Sequence, residues 1–102
     1  MVAEQERVNH LSRMAAVTFI QDTLAADPRA RVLLCATQDT AKSIRDQISG
    51  EYHDRLHRAH GDKSRGKMFT HIVAVDMDPN TEFAAMALIA GFRVPVTDFR
   101  SQ

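Results

Sequence analysis

The stretch HIVAVDMDPN, residues 71–80, decides the fold, because an apolar run ends there in two carboxylates one residue apart. The apolar part extends back to residue 68 as MFTHIVAV, residues 68–75. A short, nearly continuous apolar run of this kind is typical of a strand that is buried on both faces of a sheet. Asp78 stands directly before Pro79, and proline is favoured at the first position of a helix. The stretch therefore predicts a buried strand, a polar strand end and a following helix.

Two further segments, one earlier and one later in the chain, are also predicted to form strands. RVLLCA, residues 31–36, is again short, apolar and nearly continuous. FRVPV, residues 92–96, predicts a third strand. We expect this third strand at an edge of the sheet, because Pro95 has no N–H to donate to a neighbouring strand.

Three helices are predicted before and between these strands. The first covers residues 3–26 and ends at Asp27-Pro28, since the residue before a proline is disfavoured in helical geometry. The second begins after Thr37, a suitable N-cap, and continues through Gly50, where the helix can break. The apolar residues of the second helix are Ala41, Ile44, Ile48, Tyr52, Leu56 and Ala59. Those of the third are Phe83, Ala84, Met86, Ala87 and Ala90, with Gly91 as its stop.

The resulting order α-β-α-β-α-β predicts an α/β fold, a small Rossmann-like domain with a short, mostly parallel three-stranded sheet. The length of 102 residues fits a single domain over residues 1–102. A formal net charge of zero gives no general attraction to nucleic acid or to membrane. No apolar stretch reaches the roughly 20 residues of a membrane helix. We therefore expect a cytoplasmic protein, and the single cysteine, Cys35, excludes an internal disulfide.

Polar side chains gather where the predicted strands end. Ligands of open α/β sheets bind beyond the carboxyl ends of the strands, so Asp39, Asp76 and Asp78 could converge there. Carboxylates suit Mg²⁺, and a magnesium site is therefore one interpretation; no other cofactor is expected. The other interpretation is helix capping, which also uses Asp, Asn and Thr. We expect Asp78 to act mainly as an N-cap and Asp76 to face a ligand.

The stretch SRMAAVTFIQDTLAADPRARVLLCATQDTAKSIRDQI resembles the ATPase core of phage large terminases and related helicases, over about residues 9–76. In this resemblance HIVAVD stands for the Walker B strand, with Asp76 as the magnesium-binding aspartate. Ser12 fits the hydroxyl position of the phosphate loop. The loop itself is absent, because RVNHLSRM has no glycine and no lysine. Met77 stands in place of the catalytic glutamate. The resemblance implies a degenerate P-loop domain that does not hydrolyse ATP or GTP.

The stretch HIVAVDMDPNTEFAAMALIAGFRVPV is similar to the DxD strand, alanine-rich helix and following strand of the Toprim domains of primases and topoisomerases. The resemblance spans residues 31–96, and Asp76 and Asp78 carry it. Asp39 matches a further aspartate of that family, whereas Cys35 replaces its glutamate. The resemblance implies magnesium-dependent phosphoryl transfer or nuclease-like chemistry, with one of its acidic positions replaced.

The segment EYHDRLHRAHGDKSRGK, residues 51–67, is a candidate contact surface, because its basic residues outnumber its acidic ones and its glycines allow it to follow a phosphate backbone. On a continuous helix His53, His57 and His60 would share a face, but the positive neighbours disfavour a metal ion there. The basic residues are Arg55, Arg58, Lys63, Arg65 and Lys67. We expect them to contact a protein partner or nucleic acid.

These patterns together predict a non-catalytic binding or adaptor domain, active in nucleic-acid transactions and of phage or mobile-element type. The alternative is a magnesium-dependent phosphoryl-transfer or nuclease-like enzyme, similar to Toprim domains, that uses the strand-end carboxylates. A three-stranded sheet has exposed edges, and these favour a homodimer or another protein partner.

Overall fold

The computed structural model describes residues 2–59, 69–78 and 94–100. In chain order its elements are α1 (Val2–Ala26), β1 (Val32–Cys35), α2 (Gln38–Asp46), a 3-10 turn (Gly50–Arg55), β2 (Leu56–Arg58), β3 (His71–Ala74) and β4 (Val96–Asp98). None of the helices in these described ranges is both long and apolar enough to cross a membrane.

The described strands form one parallel sheet in the order β2-β1-β3-β4. Val32 of β1 lies opposite Leu56 of β2 on one side and opposite His71 of β3 on the other. On the far side of β3, Ile72 lies opposite Val96 of β4. The predicted α/β class with parallel strands is confirmed, although the described sheet has four strands and not three. The strand order reverses at β1, because the chain places β2 on one side of it and β3 on the other.

Helix α1 packs one stripe of its surface against the sheet. The stripe consists of apolar residues that recur every four positions and are all buried: Ala16, Ile20 and Leu24. They form one hydrophobic cluster with residues of β1, β3 and α2. The helix ends at Ala26, as Asp27-Pro28 predicted, and the carboxylate of Asp27 accepts a hydrogen bond from the backbone N–H of Arg29 at 2.8 Å. That bond turns the chain towards β1.

Strand β1 is buried on both faces, as its continuous apolar sequence predicted. Val32 and Leu34 belong to the cluster beneath α1 and α2. Leu33 and Cys35 belong to a second cluster on the opposite face, together with Ile72 of β3. Burial raises the pKa of the Cys35 thiol to about 11. The thiol is therefore protonated and uncharged at neutral pH.

The second predicted helix is wrong beyond Asp46. Helix α2 ends there, and the chain continues through the 3-10 turn into β2. Leu56, expected on the apolar stripe of a helix, is buried in a strand opposite Val32. The backbone N–H and C=O groups of β1 need hydrogen-bonding partners on the side away from β3. The spacing of apolar residues carries no information about that pairing. Tertiary pairing therefore overrides the helical pattern after Gly50.

The continuous helix on which the histidines would share a face is not formed at the two histidines that the structure describes. His53 lies in the 3-10 turn, where its Nε2 donates a hydrogen bond to the carbonyl of Ile48 at 2.8 Å. His57 lies in β2, with its ring edge-on to Phe69. His60 lies outside the described residues. His53 and His57 thus belong to different elements and do not share one helical face.

The third predicted strand begins later in the chain than expected. Strand β4 begins at Val96, whereas the sequence predicted residues 92–96. It lies at the edge of the sheet, as Pro95 predicted. The carbonyl of Pro95 accepts a hydrogen bond from the N–H of Ile72 at 3.0 Å, so the proline contributes its acceptor although it has no donor. The predicted third helix, which Gly91 would end, lies outside the described residues.

Candidate functional site

The carboxylate of Asp76, two residues after β3, holds the first turn of α2. Its Oδ1 accepts a hydrogen bond from the backbone N–H of Thr37 at 2.8 Å. Its Oδ2 accepts bonds from the hydroxyl of Thr37 at 3.0 Å and from the hydroxyl of Thr40 at 2.6 Å. The hydroxyl of Thr37 in turn accepts the backbone N–H of Thr40, so the predicted N-cap is confirmed. Asp76 therefore stabilises the first turn of α2, a helix that lies far from it in the sequence.

The other two predicted metal ligands belong to the same two parts of the chain, the start of α2 and the segment after β3. Asp39 is in the first turn of α2, and Asp78 follows β3; both are exposed. Within residues 2–59, 69–78 and 94–100, no group of three or more His, Cys, Asp or Glu side chains has the arrangement of a metal site. The convergence expected of Asp39, Asp76 and Asp78 is thus not found there. The N-cap role of Asp78 concerns a helix outside the described residues and stays a prediction.

The sequence assigned a cap to Asp78, for a helix outside the described residues, and did not predict that Asp76 serves the start of α2. Local sequence does not record this role, because Asp76 and Thr37 are 39 positions apart. The strand order brings them together: β3 lies beside β1, and the end of β3 meets the helix that follows β1. A strand-end carboxylate and a Thr-x-x-Thr start are the only sequence signals for this interaction.

A pocket of about 290 Å³ opens beside Asp76. Residues from α1, the start of α2 and the ends of β3 and β4 line it: Ser12, Arg13, Thr40, Val75, Asp76, Phe99 and Arg100. It lies beyond the carboxyl ends of the parallel strands, close to the reversal of strand order, where open α/β sheets bind ligands. The sequence predicted this location and Asp76, but it did not single out Arg13, Phe99 or Arg100.

Arg100 is paired with an acidic neighbour beside the pocket. Its Nη2 lies 2.8 Å from Oδ2 of Asp98, and its Nε lies 3.0 Å from Oδ1 of the same carboxylate. These hydrogen bonds lower the pKa of Asp98 below its usual value. The positive charge of Arg100 is therefore compensated by a side chain of the protein.

Ser12 and Arg13 of α1 also line the pocket. Ser12 continues the buried stripe of α1, four positions before Ala16, and is 8% exposed as a whole residue. Arg13 is half-buried. Among the described residues, neither side chain has a hydrogen-bond or ion-pair partner. The pocket is thus lined by a hydroxyl and a half-buried guanidinium that form no hydrogen bond or ion pair within the described residues.

Arg55, predicted to bind a partner, bonds to backbone carbonyls of the domain. Its guanidinium donates three hydrogen bonds, each of 2.9 Å, to carbonyls at and after the end of α1, those of Leu24, Asp27 and Ala30. It also lies over the ring of Tyr52, 5.5 Å from the ring centroid. A cation at the negative end of a helix is favourable, so Arg55 caps the C-terminus of α1.

Arg58, also predicted to bind a partner, is hydrogen-bonded within the domain. Its Nε donates to the carbonyl of Ala36 at 3.0 Å, next to the end of β1. The remaining members of the predicted basic surface, Lys63, Arg65 and Lys67, lie outside the described residues. Composition alone cannot distinguish an arginine that caps carbonyls from one that faces a partner.

In comparisons with known proteins, no family model, no curated protein and no solved structure matches the chain. The resemblances to terminases and to Toprim domains therefore stay predictions from sequence.

Proposed function

We propose that this chain is a binding domain without a catalytic centre of its own. The observation that carries the proposal is the use of Asp76, the residue that both family resemblances would place at a reaction centre. Both of its carboxylate oxygens accept hydrogen bonds from the start of α2. Cys35, in the place of the Toprim glutamate, is a buried and protonated thiol. Met77, in the place of the Walker B glutamate, carries no ionisable group.

The pocket supports a role in binding. It lies where α/β sheets hold their ligands, and its walls combine polar groups with the apolar side chains of Val75 and Phe99. Such a mixture can orient a ligand without reacting with it. An adaptor domain of this type would recognise its ligand or partner and leave the chemistry to another protein.

A role in nucleic-acid transactions is the part of the proposal that rests on sequence. The two family resemblances point in that direction, as do the basic residues of the segment 51–67. Arg55 and Arg58 already bond to carbonyls of the domain, which leaves them fewer donors for such a surface. The proposal therefore depends mainly on Lys63, Arg65 and Lys67.

Thermal melts with and without Mg²⁺ or Mn²⁺ test the absence of a catalytic metal site. We expect the Tm of the wild type to be the same in both conditions at matched ionic strength, because a metal ion that binds only the folded state would raise it. Asp76→Asn and Asp39→Asn should each show equally little metal dependence. A metal-induced rise in the wild type that Asp76→Asn abolishes would contradict the proposal and favour the magnesium-dependent enzyme.

A charge-reversed variant with Lys63→Glu, Arg65→Glu and Lys67→Glu tests the nucleic-acid part. We expect weaker binding of DNA or RNA and a shallower salt dependence. The logarithmic slope should fall by about 0.9 for each duplex phosphate that the protein no longer neutralises. The Tm should stay close to that of the wild type.

The control for this variant reverses two exposed cations elsewhere, Arg29 and Lys42. It should keep the binding of the wild type within a small factor. Titrations at low salt that are the same for the wild type and the triple variant, against both DNA and RNA, would remove nucleic acid as the partner.

A further inference from the structure

Two neighbouring residues of α1, Ser12 and Arg13, line the pocket, and their side chains form no hydrogen bond or ion pair within the described residues. Arg13 is half-buried, and removing part of a guanidinium from water without an anion beside it is unfavourable. Arg13 carries a full positive charge and can only donate hydrogen bonds, whereas the hydroxyl of Ser12 can donate or accept. A ligand that pairs with Arg13 must offer acceptor atoms and negative charge.

We propose that the pocket binds the oxyanion group of a small organic ligand, a phosphate or a carboxylate, with Arg13 as the principal cation. Ser12 donates a second hydrogen bond to the same group. The planar guanidinium matches the geometry of both groups, because it can donate two parallel hydrogen bonds. This inference rests on the proposed function, since it names the ligand class of a domain that binds and does not react.

The other charged groups at the pocket have hydrogen-bond partners within the described residues. Both oxygens of Asp76 accept hydrogen bonds from Thr37 and Thr40, which direct its charge towards the start of α2. Arg100 is paired with Asp98. Arg13 is thus the cation of the lining that the described residues leave for a ligand.

The size of the pocket limits what the oxyanion can be attached to. A volume of about 290 Å³ corresponds to roughly ten water molecules at their liquid volume. Val75 and Phe99 form its apolar wall, and Phe99 is itself fixed by an edge-on approach to Phe19, at 6.0 Å between ring centroids. The part of the ligand that the pocket encloses is therefore small and has a short apolar portion.

Thermal melts and isothermal titration with inorganic phosphate and with succinate test this site, with chloride at matched ionic strength as the reference. We expect a saturable rise in Tm with at least one of the two anions, and the anion that acts identifies the group as phosphate or carboxylate. Arg13→Gln should weaken binding by roughly ten- to a hundredfold, the usual range for losing a charged hydrogen bond. Ser12→Ala should weaken it less.

Arg29→Gln is the matched control, since Arg29 is exposed and does not line the pocket. It should bind anions like the wild type. Arg13→Lys keeps the charge and should retain part of the affinity, which separates loss of recognition from loss of folding. The proposal is overturned if neither anion raises the Tm of the wild type above the chloride reference, or if Arg13→Gln binds as tightly as the wild type.

Failure of this site and failure of the proposed function give different results. A wild type that ignores both anions and all metals loses the oxyanion site but remains a non-catalytic domain. Stabilisation by magnesium that depends on Asp76 removes the proposed function, whatever Arg13 does.

Discussion

Replacing Arg55 with alanine is expected to lower the free energy of unfolding by about 3 kcal/mol, more than any other exposed or half-buried substitution discussed above. The guanidinium satisfies three carbonyls at the end of α1, each at 2.9 Å. The side chain is half-buried, so the three bonds are partly replaced by water and their full sum is not lost. For a domain of about 100 residues this corresponds to a fall in Tm of roughly 12 to 24 °C.

Urea denaturation of three variants measures this effect. Arg29→Ala, which removes an exposed arginine near the same helix end, should change the free energy of unfolding by about 0.5 kcal/mol or less. Arg55→Lys should fall between the two, because a lysine keeps the charge but cannot reach three carbonyls at once. If Arg55→Ala is as stable as Arg29→Ala but binds a partner less well, Arg55 belongs to a contact surface after all.

Replacing Asp76 with alanine is expected to cost about 2 kcal/mol of stability in the absence of any metal ion. Three donors of the α2 start lose their acceptor, including the backbone N–H of Thr37. The residue is exposed, and water replaces part of what is removed. Asp76→Asn should cost less, because its amide keeps one acceptor oxygen.

A double-mutant cycle assigns the loss to the hydrogen bond and not to the charge. Thr40→Val removes the buried hydroxyl that lies 2.6 Å from Asp76 and keeps the shape of the side chain. The coupling energy between Asp76→Ala and Thr40→Val should be about 1 kcal/mol or more. Asp39→Ala, with a carboxylate exposed on the same helix turn, should couple weakly to Thr40→Val. Equal coupling for the two aspartates would show a general effect of charge near the helix start.

The elements that were predictable from sequence are those whose signals are local. The apolar run that ends at Cys35, the stop at Asp27-Pro28 and the cap at Thr37 each depend on neighbouring residues, and all three are confirmed. Strand β2 was missed because Leu56 continues a helical stripe. Its actual state depends on pairing with β1, and that information lies 24 positions away in the sequence.

The candidate site was predictable in its location but not in the roles of its residues. Parallel strands and polar strand ends indicated the carboxyl edge of the sheet, and the pocket lies at that edge. Asp76 was expected to face a ligand; it lines the pocket, and its oxygens are also bonded to the start of α2, which the sequence did not predict. Arg13 gave no signal at all, because nothing in a helical sequence distinguishes a cation that lines a pocket from one that faces solvent.

The bonds from Asp76 to α2 also bear on the order in which the chain acquires its structure. Helix α2 has nine residues, and isolated helices shorter than about 12 residues are only marginally stable in water. During synthesis α2 leaves the ribosome well before Asp76, which follows Thr37 by 39 positions. The start of α2 therefore becomes complete only when β3 docks beside β1, a long-range step of the kind that slows folding. Protection of the Thr37 amide from hydrogen exchange should consequently appear together with the pairing of these two strands.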